Sequence, residues 1–416
     1  MNERTYEKTG RSPSGTAPDM AGPVTVDGVP SLDGVDGRAW DDVADPRDLF
    51  QSRAWLRALE EAGEGPLTYL IARRPGQSRI LGALPLFDVL PSRGDYLYWP
   101  ELHFRDLLHA VGPPGGRLGL VAGSCAGFGT RLVVDGALPP ADRTAVLRAL
   151  RDTAGAVAAD RGLPYVFFLF LHASAWADLA PLAREGDCRR LASVAQTELR
   201  LPGAGFEDYL ATLPRNTRTS VRREAGVFAR ECVTESVPLR DVIPVVAPMV
   251  ANVRAKHGMA YGVGTVARRL EAYASALGDA AATALLCRMG GRVVGAAVLC
   301  RLRDRLYVTD FGRPDDGGPD PFVYFNAAIY EPVRHAYALG LRSVVTGAGA
   351  ELGKARRGAV VLPLTHLAWA AGDGAGRRAG AVAAVAAVAA EGGERHWHEL
   401  RSAHPAYFGS AWDELL

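Results

Sequence analysis

Two periods of apolar spacing alternate along this chain, and the alternation comes round twice. Helical spacing over 53–59 gives way to short apolar runs at 67–72 and 80–87, joined by a Pro-Gly turn, which predicts a strand pair. The aromatic stretch 96–99 reads as a further strand. A helical period over 143–161 precedes the continuous apolar run 165–171, the pattern of a buried strand, and 196–201 closes this half. The second half starts with a basic helix at Arg215, followed by helical segments over 239–257 and 265–277, the first made irregular by Pro244 and Pro248. Strands at 284–289 and 293–300 turn at Gly290-Gly291. A strand at 306–310, a helix at 324–339 and strands at 343–346 and 360–365 complete the set. The halves echo each other in plan, with Gly82-Ala83 and Gly295-Ala296 in corresponding returning strands.

Composition narrows the class. The 416 residues are 48% hydrophobic, enough for two or three cored domains. A net charge of +1 excludes a global basic field for nucleic acid, so any such contact must come from local patches. Five cysteines without Cys-x-x-Cys spacing argue against a zinc site or disulfide framework and fit a cytoplasmic protein. No signal core is visible, and the alanine-rich run 379–390 is too short to span a bilayer. Residues 1–44, rich in Gly, Pro, Asp and Ser, read as a mostly disordered tail.

Three stretches carry chemistry. The first is the run from Phe206 through Arg215, Arg218, Arg222 and Arg223 to Gly226, with arginines at spacings that share helix faces. These arginines can contact phosphates of a nucleic-acid or nucleotide donor, or simply form a solvated face paired with Glu224 or Asp208. The second is the returning strand Gly291-Arg-Val-Val-Gly295-Ala. The third is Gly347-Ala-Gly-Ala-Glu351-Leu-Gly-Lys354-Ala-Arg-Arg357-Gly358, followed by Pro363 and Thr365-His366. Small residues there permit close ligand approach, and a carboxylate, an ammonium and guanidiniums follow at once.

Together these stretches resemble the GNAT superfamily, specifically the tandem-GNAT proteins related to Fem-type peptidoglycan-bridge aminoacyltransferases. The likeness is greatest to the peptidoglycan biosynthesis/recognition branch. The third stretch is similar to that branch's Gly-Ala-Gln-Gly-Glu-His-Lys signature, with Gly349-Ala350 in place of Gln-Gly and Leu352 in place of His. The resemblance implies an α/β fold of two tandem GNAT-like domains, each with a mixed, mostly antiparallel central sheet flanked by helices. The domains expected are 45–204 and 205–378, the second carrying a basic helix at 215–230, then a C-terminal helical extension at 379–416.

It also implies an N-acyltransferase. Asp310, at a strand end, is a candidate base; Tyr324 is a candidate donor to a reacting carbonyl; Glu351 is a candidate for orienting or deprotonating an amine. Lys256, His257, Tyr261, Asn326, Lys354, Arg357 and His366 are candidate substrate contacts. Each has a bland alternative: a paired buried Asp310, a packed Tyr324, helix-end cations at Lys256 and His257, a Glu351–Lys354 ion pair, a core His366. The coenzyme-A signature of ordinary GNAT enzymes, Arg/Gln-x-x-Gly-x-Gly/Ala, is absent. The corresponding loop, 312–322, holds aspartates and prolines that suit a pyrophosphate poorly. No metal or resident cofactor is expected. The expectation is therefore aminoacyl-tRNA as co-substrate and a small-molecule or cell-wall-precursor amine as acceptor, met without stable membrane insertion. Alternatives are an acyl-CoA-dependent acyltransferase and a non-catalytic GNAT-like ligand-binding protein.

Overall fold

A computed structural model describes residues 23–90, 96–111, 117–185, 188–259, 262–315, 320–371, 395, 397–405, 408 and 412. The strands of the first half are β1 (Thr25–Val29), β2 (Thr68–Arg73), β3 (Gly82–Phe87), β4 (Gly119–Ala122), β5 (Val133–Val134), β6 (Tyr165–His172) and β7 (Cys188–Arg200). Those of the second are β8 (Val233–Pro238), β9 (Ala282–Met289), β10 (Arg292–Leu302), β11 (Arg305–Gly312), β12 (Ser343–Gly347) and β13 (Val360–Ala370). All belong to one sheet, ordered β1-β2-β3-β4-β6-β13-β7-β12-β11-β10-β9-β8, with β5 beside β3.

The sequence echo is an architectural repeat. β1 to β4 run antiparallel and meet β6 in parallel; β8 to β11 run antiparallel and meet β12 in parallel. The last strands are exchanged. β7, which follows β6 in the chain, pairs with β12; β13, which follows β12, pairs with β6. β7 and β13 then pair with each other at the centre. The two halves expected at 45–204 and 205–378 are thus interlocked through the sheet.

One face is bolted as well. The Arg53–Glu61 helix of the first half packs on the Val263–Leu277 helix of the second, with Trp55 stacked on Tyr273 at 4.4 Å. Buried Arg269 clasps Glu64 at 3.0 and 2.9 Å. One continuous core therefore covers both halves on this side, while separate cores lie under the helices of the other side.

Three local features differ from the sequence expectation. Residues 23–44, read as part of a disordered tail, carry β1 and bury Leu32 and Trp40; the Trp40 indole donates to the Gln51 carbonyl at 3.0 Å. Average composition hid a few well-spaced apolar anchors; residues 1–22 lie outside the described set. The stretch 96–99 is a tight turn at Tyr96–Tyr98 leading into the Pro100–His103 helix, with Pro100 at a first-turn position where its missing N–H costs nothing. The helix expected at 324–339 contains a π turn, Asn326–Tyr330, before Glu331–Ala338. Pro332 cannot donate into the ladder there, and the Glu331 N–H reaches back to the Asn326 carbonyl. Of the expected extension 379–416, the described Trp397, Phe408 and Trp412 are buried against Ala195 and Val361.

Candidate functional site

The chain leaves β12 through a loop of left-handed residues: Gly347 (φ 65°), Gly349 (φ 83°) and Ala350 (φ 53°). Alanine in that region is strained, the kind of conformation held where the surroundings demand it. The short Glu351–Ala355 helix follows. Glu351 stays partly exposed, and its Oε1 accepts from the Gly349 N–H at 2.8 Å. Lys354, three residues on, turns inward and is 3% exposed. Its Nζ donates to the carbonyls of Thr346 (2.6 Å), Gly347 (3.4 Å) and Ala348 (3.2 Å). Burial pulls this ammonium down to about 8. The expectation that Lys354 faces a substrate is corrected here: it fixes the loop from beneath.

Arg357 is likewise committed within the protein. Its Nη2 donates to both oxygens of Glu224 at 3.1 and 2.9 Å, its Nη1 to the Gly353 carbonyl at 2.9 Å, and its Nε to the Tyr330 hydroxyl. Tyr330 in turn donates to Glu224, and the guanidinium lies 3.3 Å over the Phe325 ring. This knot joins the Arg215–Glu231 helix, the π turn and the loop helix. Tyr324 packs edge-on against Phe311 and Phe325, both at 5.2 Å. Burial and the charge of Glu351 push its phenol up, so it is protonated and can donate. Asn326 is fully buried, donates to the Phe322 carbonyl at 2.9 Å, and has no partner for its Oδ1 among the described residues.

His366 sits on β13 opposite Leu191 of β7. Its Nδ1 accepts the Phe170 N–H at 3.2 Å, so the proton resides on Nε2. Phe170 itself has φ 52°, and its N–H is turned off the regular ladder toward the imidazole. The His366 ring lies 4.2 Å from that of His103. Burial, then the neighbouring His103, hold His366 well below the usual histidine range, and burial lowers His103 too. His103 donates Nε2–H to the Leu97 carbonyl at 2.7 Å, leaving Nδ1 as an acceptor. Both imidazoles are neutral, with opposite nitrogens available.

These two histidines and Glu351 line one cavity of about 660 Å³ beyond the end of β12. Its walls come from β7, β13, the Pro100–His103 helix, the Glu351 loop and Trp397 with its neighbours. Neither half encloses it alone. Sequence reasoning found Glu351 and His366 but missed His103 and the wall residue Ser193. Neither has a spacing signal, because the sheet brings them in from distant segments.

Other candidates lie elsewhere. Asp310 accepts from Arg254 Nε (3.1 Å) and Nη2 (2.6 Å). It faces the helices at Ile243–Lys256 and Val263–Leu277, whereas the adjacent Phe311 meets Tyr324 across the sheet. Side-chain alternation thus separates Asp310 from Tyr324 and Glu351, and the arginine keeps its carboxylate occupied. Lys256 pairs with Asp315 at 2.7 Å in an exposed position, and His257 is exposed. Tyr261 lies outside the described residues. On the basic helix, Arg215 is exposed, Arg218 donates to the Leu213 carbonyl at 3.1 Å, Arg222 pairs with exposed Glu207 at 2.6 Å, and Arg223 lies 5.7 Å from the Phe322 ring. Among the described residues no group of three or more His, Cys, Asp or Glu could hold a metal ion, and no helix is long and apolar enough to cross a membrane.

Two repeats of an antiparallel run ending in a parallel pair, flanked by helices, define a tandem GNAT-like protein. The solved structure of FemX shares this fold at TM-score 0.50, with 12% identity over 77% of this chain and 92% of FemX. Other similar structures are a conserved protein of unknown function from Bacteroides thetaiotaomicron (TM-score 0.49, 15% identity, 80% of this chain and 95% of that one) and a tandem GNAT protein from the clavulanic acid biosynthesis pathway (TM-score 0.45, 13% identity, 84% and 99%). The chain belongs to the FemAB-like family, described as peptidoglycan biosynthesis/recognition, which matches residues 31–377. No curated protein matches the sequence. Family and fold together support an acyltransferase-type role.

Proposed function

We propose that the protein is an N-acyltransferase that moves an aminoacyl group from aminoacyl-tRNA to an amine. The observation that carries the choice of donor is the helix N-terminus after β11. There Asp320 Oδ1 already accepts the Val323 N–H at 2.7 Å, and Asp320 also pairs with Arg313. A helix N-terminus cradles a pyrophosphate through free N–H groups and a positive dipole. A carboxylate in that place satisfies the donor and repels phosphate. The basic helix lies alongside, with Arg223 over Phe322 at the edge of the same loop. It supplies cations suited to a phosphate backbone.

In this reading the acceptor nitrogen attacks the ester carbonyl. A C–N bond forms, the C–O bond to the terminal ribose breaks, and the proton lost by the amine passes to Glu351 and on to the leaving hydroxyl. Tyr324 and the Nε2–H of His366 are protonated donors for the oxyanion. Offering a pool of charged tRNAs and, in parallel, acyl-CoAs tests the donor. Deacylation of tRNA that RNase abolishes and that falls steeply with salt is expected. Activity that survives RNase and requires acyl-CoA would overturn the assignment.

A further inference from the structure

Polar groups in the cavity beyond β12 have a composition that specifies what can occupy it. Glu351 is the only charged side chain lining it among the described residues. His103 offers Nδ1 as an acceptor, since its Nε2–H is spent on Leu97. Ser193, nine-tenths buried in the wall, has an Oγ that no described protein group satisfies. A buried hydroxyl left without a partner is costly, and an occupant that donates to it removes the cost. The remaining polar group, His366 Nε2–H, is a donor fixed by the Phe170 N–H on the other side of the ring. Leu191, Val194, Leu352, Val361, Trp397 and Leu400 make the rest of the lining apolar.

We infer that this cavity holds the acceptor as a primary amine carried on an uncharged, apolar or aromatic body. An ammonium has three N–H donors, and the cavity supplies a carboxylate, an imidazole nitrogen and a hydroxyl to receive them. The apolar walls take the body, and the His366 Nε2–H stays free for the oxyanion. Among the described residues no lining cation is present to receive a phosphate or carboxylate inside the cavity. The inference rests on the acyl-transfer reading for its biological sense, but the site is a binding site whatever the donor is.

Calorimetric titration of the full chain, with no donor present, tests it. The probe is 2-phenylethylamine, with 3-phenylpropanoate and N-acetyl-2-phenylethylamine as controls and inorganic pyrophosphate as competitor. Saturable binding of the amine is expected, with the acid and the capped amine at least about tenfold weaker and pyrophosphate without effect. Glu351→Gln is expected to weaken the amine about tenfold, and Ser193→Ala about threefold. Ser193→Ala leaves the Glu351 loop untouched and so carries the test if Glu351→Gln perturbs it. Equal binding of acid and amine, displacement by pyrophosphate, no saturable amine binding, or affinities unchanged in both variants would each overturn the inference. Because no donor is used, failure of the tRNA assignment leaves this result intact, and loss of this site leaves the RNase result intact.

Discussion

Beyond β4 and β6 the first half closes its own sheet, whereas beyond β11 and β12 the second half leaves the gap to side chains. In the first half the parallel pair covers Gly119–Ala122 against 165–168, and the chain then folds back into the split. The Phe170 carbonyl accepts from Gly129 and Thr130, Thr130 bridges to Leu171, Tyr98 caps the Gly127 carbonyl at 2.6 Å and Gln196 caps that of Phe128 at 3.0 Å. In the second half the parallel pair is three residues long, Arg305 to Tyr307 against Ser343 to Val345. Past it the β12 carbonyls go to the Lys354 ammonium, and Glu351 is left at the mouth of a cavity. Same frame, two uses: backbone fills one split, while a buried lysine props the other and leaves its rim open to the cavity.

Breaking the prop of the second half at its strongest point gives the largest effect. Arg357→Ala strands buried Glu224 and Tyr330, and should cost about 3–5 kcal/mol of unfolding free energy in urea. A loss under about 1 kcal/mol would place the knot among surface pairs. Next comes the lysine. Below pH 8 folded and unfolded chains both carry the Lys354 proton, and the cost of burying it is felt in full. Between about 8 and the ordinary 10.5 only the unfolded chain holds the proton. Stability therefore rises with pH across that window, by at most about 3 kcal/mol, and the gain is lost as pH falls back through 8. Lys354→Met should remove this rise when unfolding is measured from pH 7 to 10.5; a parallel rise in the variant refutes the assignment.

The smallest effects separate the two splits most sharply. Glu351→Gln should lower turnover about tenfold while changing stability by under about 0.5 kcal/mol. Gly129→Ala should do the reverse, costing about 1–2 kcal/mol and sparing turnover. Gly129 has φ 81°, and a Cβ there would lie 2.2 Å from Gln196 Oε1. If both variants lost activity alike, the first split would be functional too.

Much of the frame could be read from the chain alone, because strands β2, β3, β6 and β9 to β12 announce themselves by local period and turns. β1, β4 and β8 could not: β4 is four residues long, and β1 and β8 are edge strands with little apolar pattern. Around the site, Glu351 was legible from its glycines. Lys354 and Arg357 have the same charge and spacing as ligand-binding residues, and only the inward turn of a short helix shows that they serve the loop. His103 and Ser193 were invisible for a different reason. Their neighbourhood exists only once β13 lies between β6 and β7, a long-range pairing that no window of sequence contains.

That exchange also dictates when the protein can be finished as it emerges from the ribosome. Phe170 meets His366 across 196 positions of chain, and Thr197 meets Thr346 across 149. At about 5–20 residues per second, the first of these partners waits roughly 10–40 s for the second. Through that interval β6 and β7 offer open strand edges to any neighbouring nascent chain. A premature stop after β12 leaves an unfilled slot at the centre of the sheet, where β13 should lie, so such fragments are aggregation-prone by construction. Protein quality control, rather than residual activity, then decides their fate.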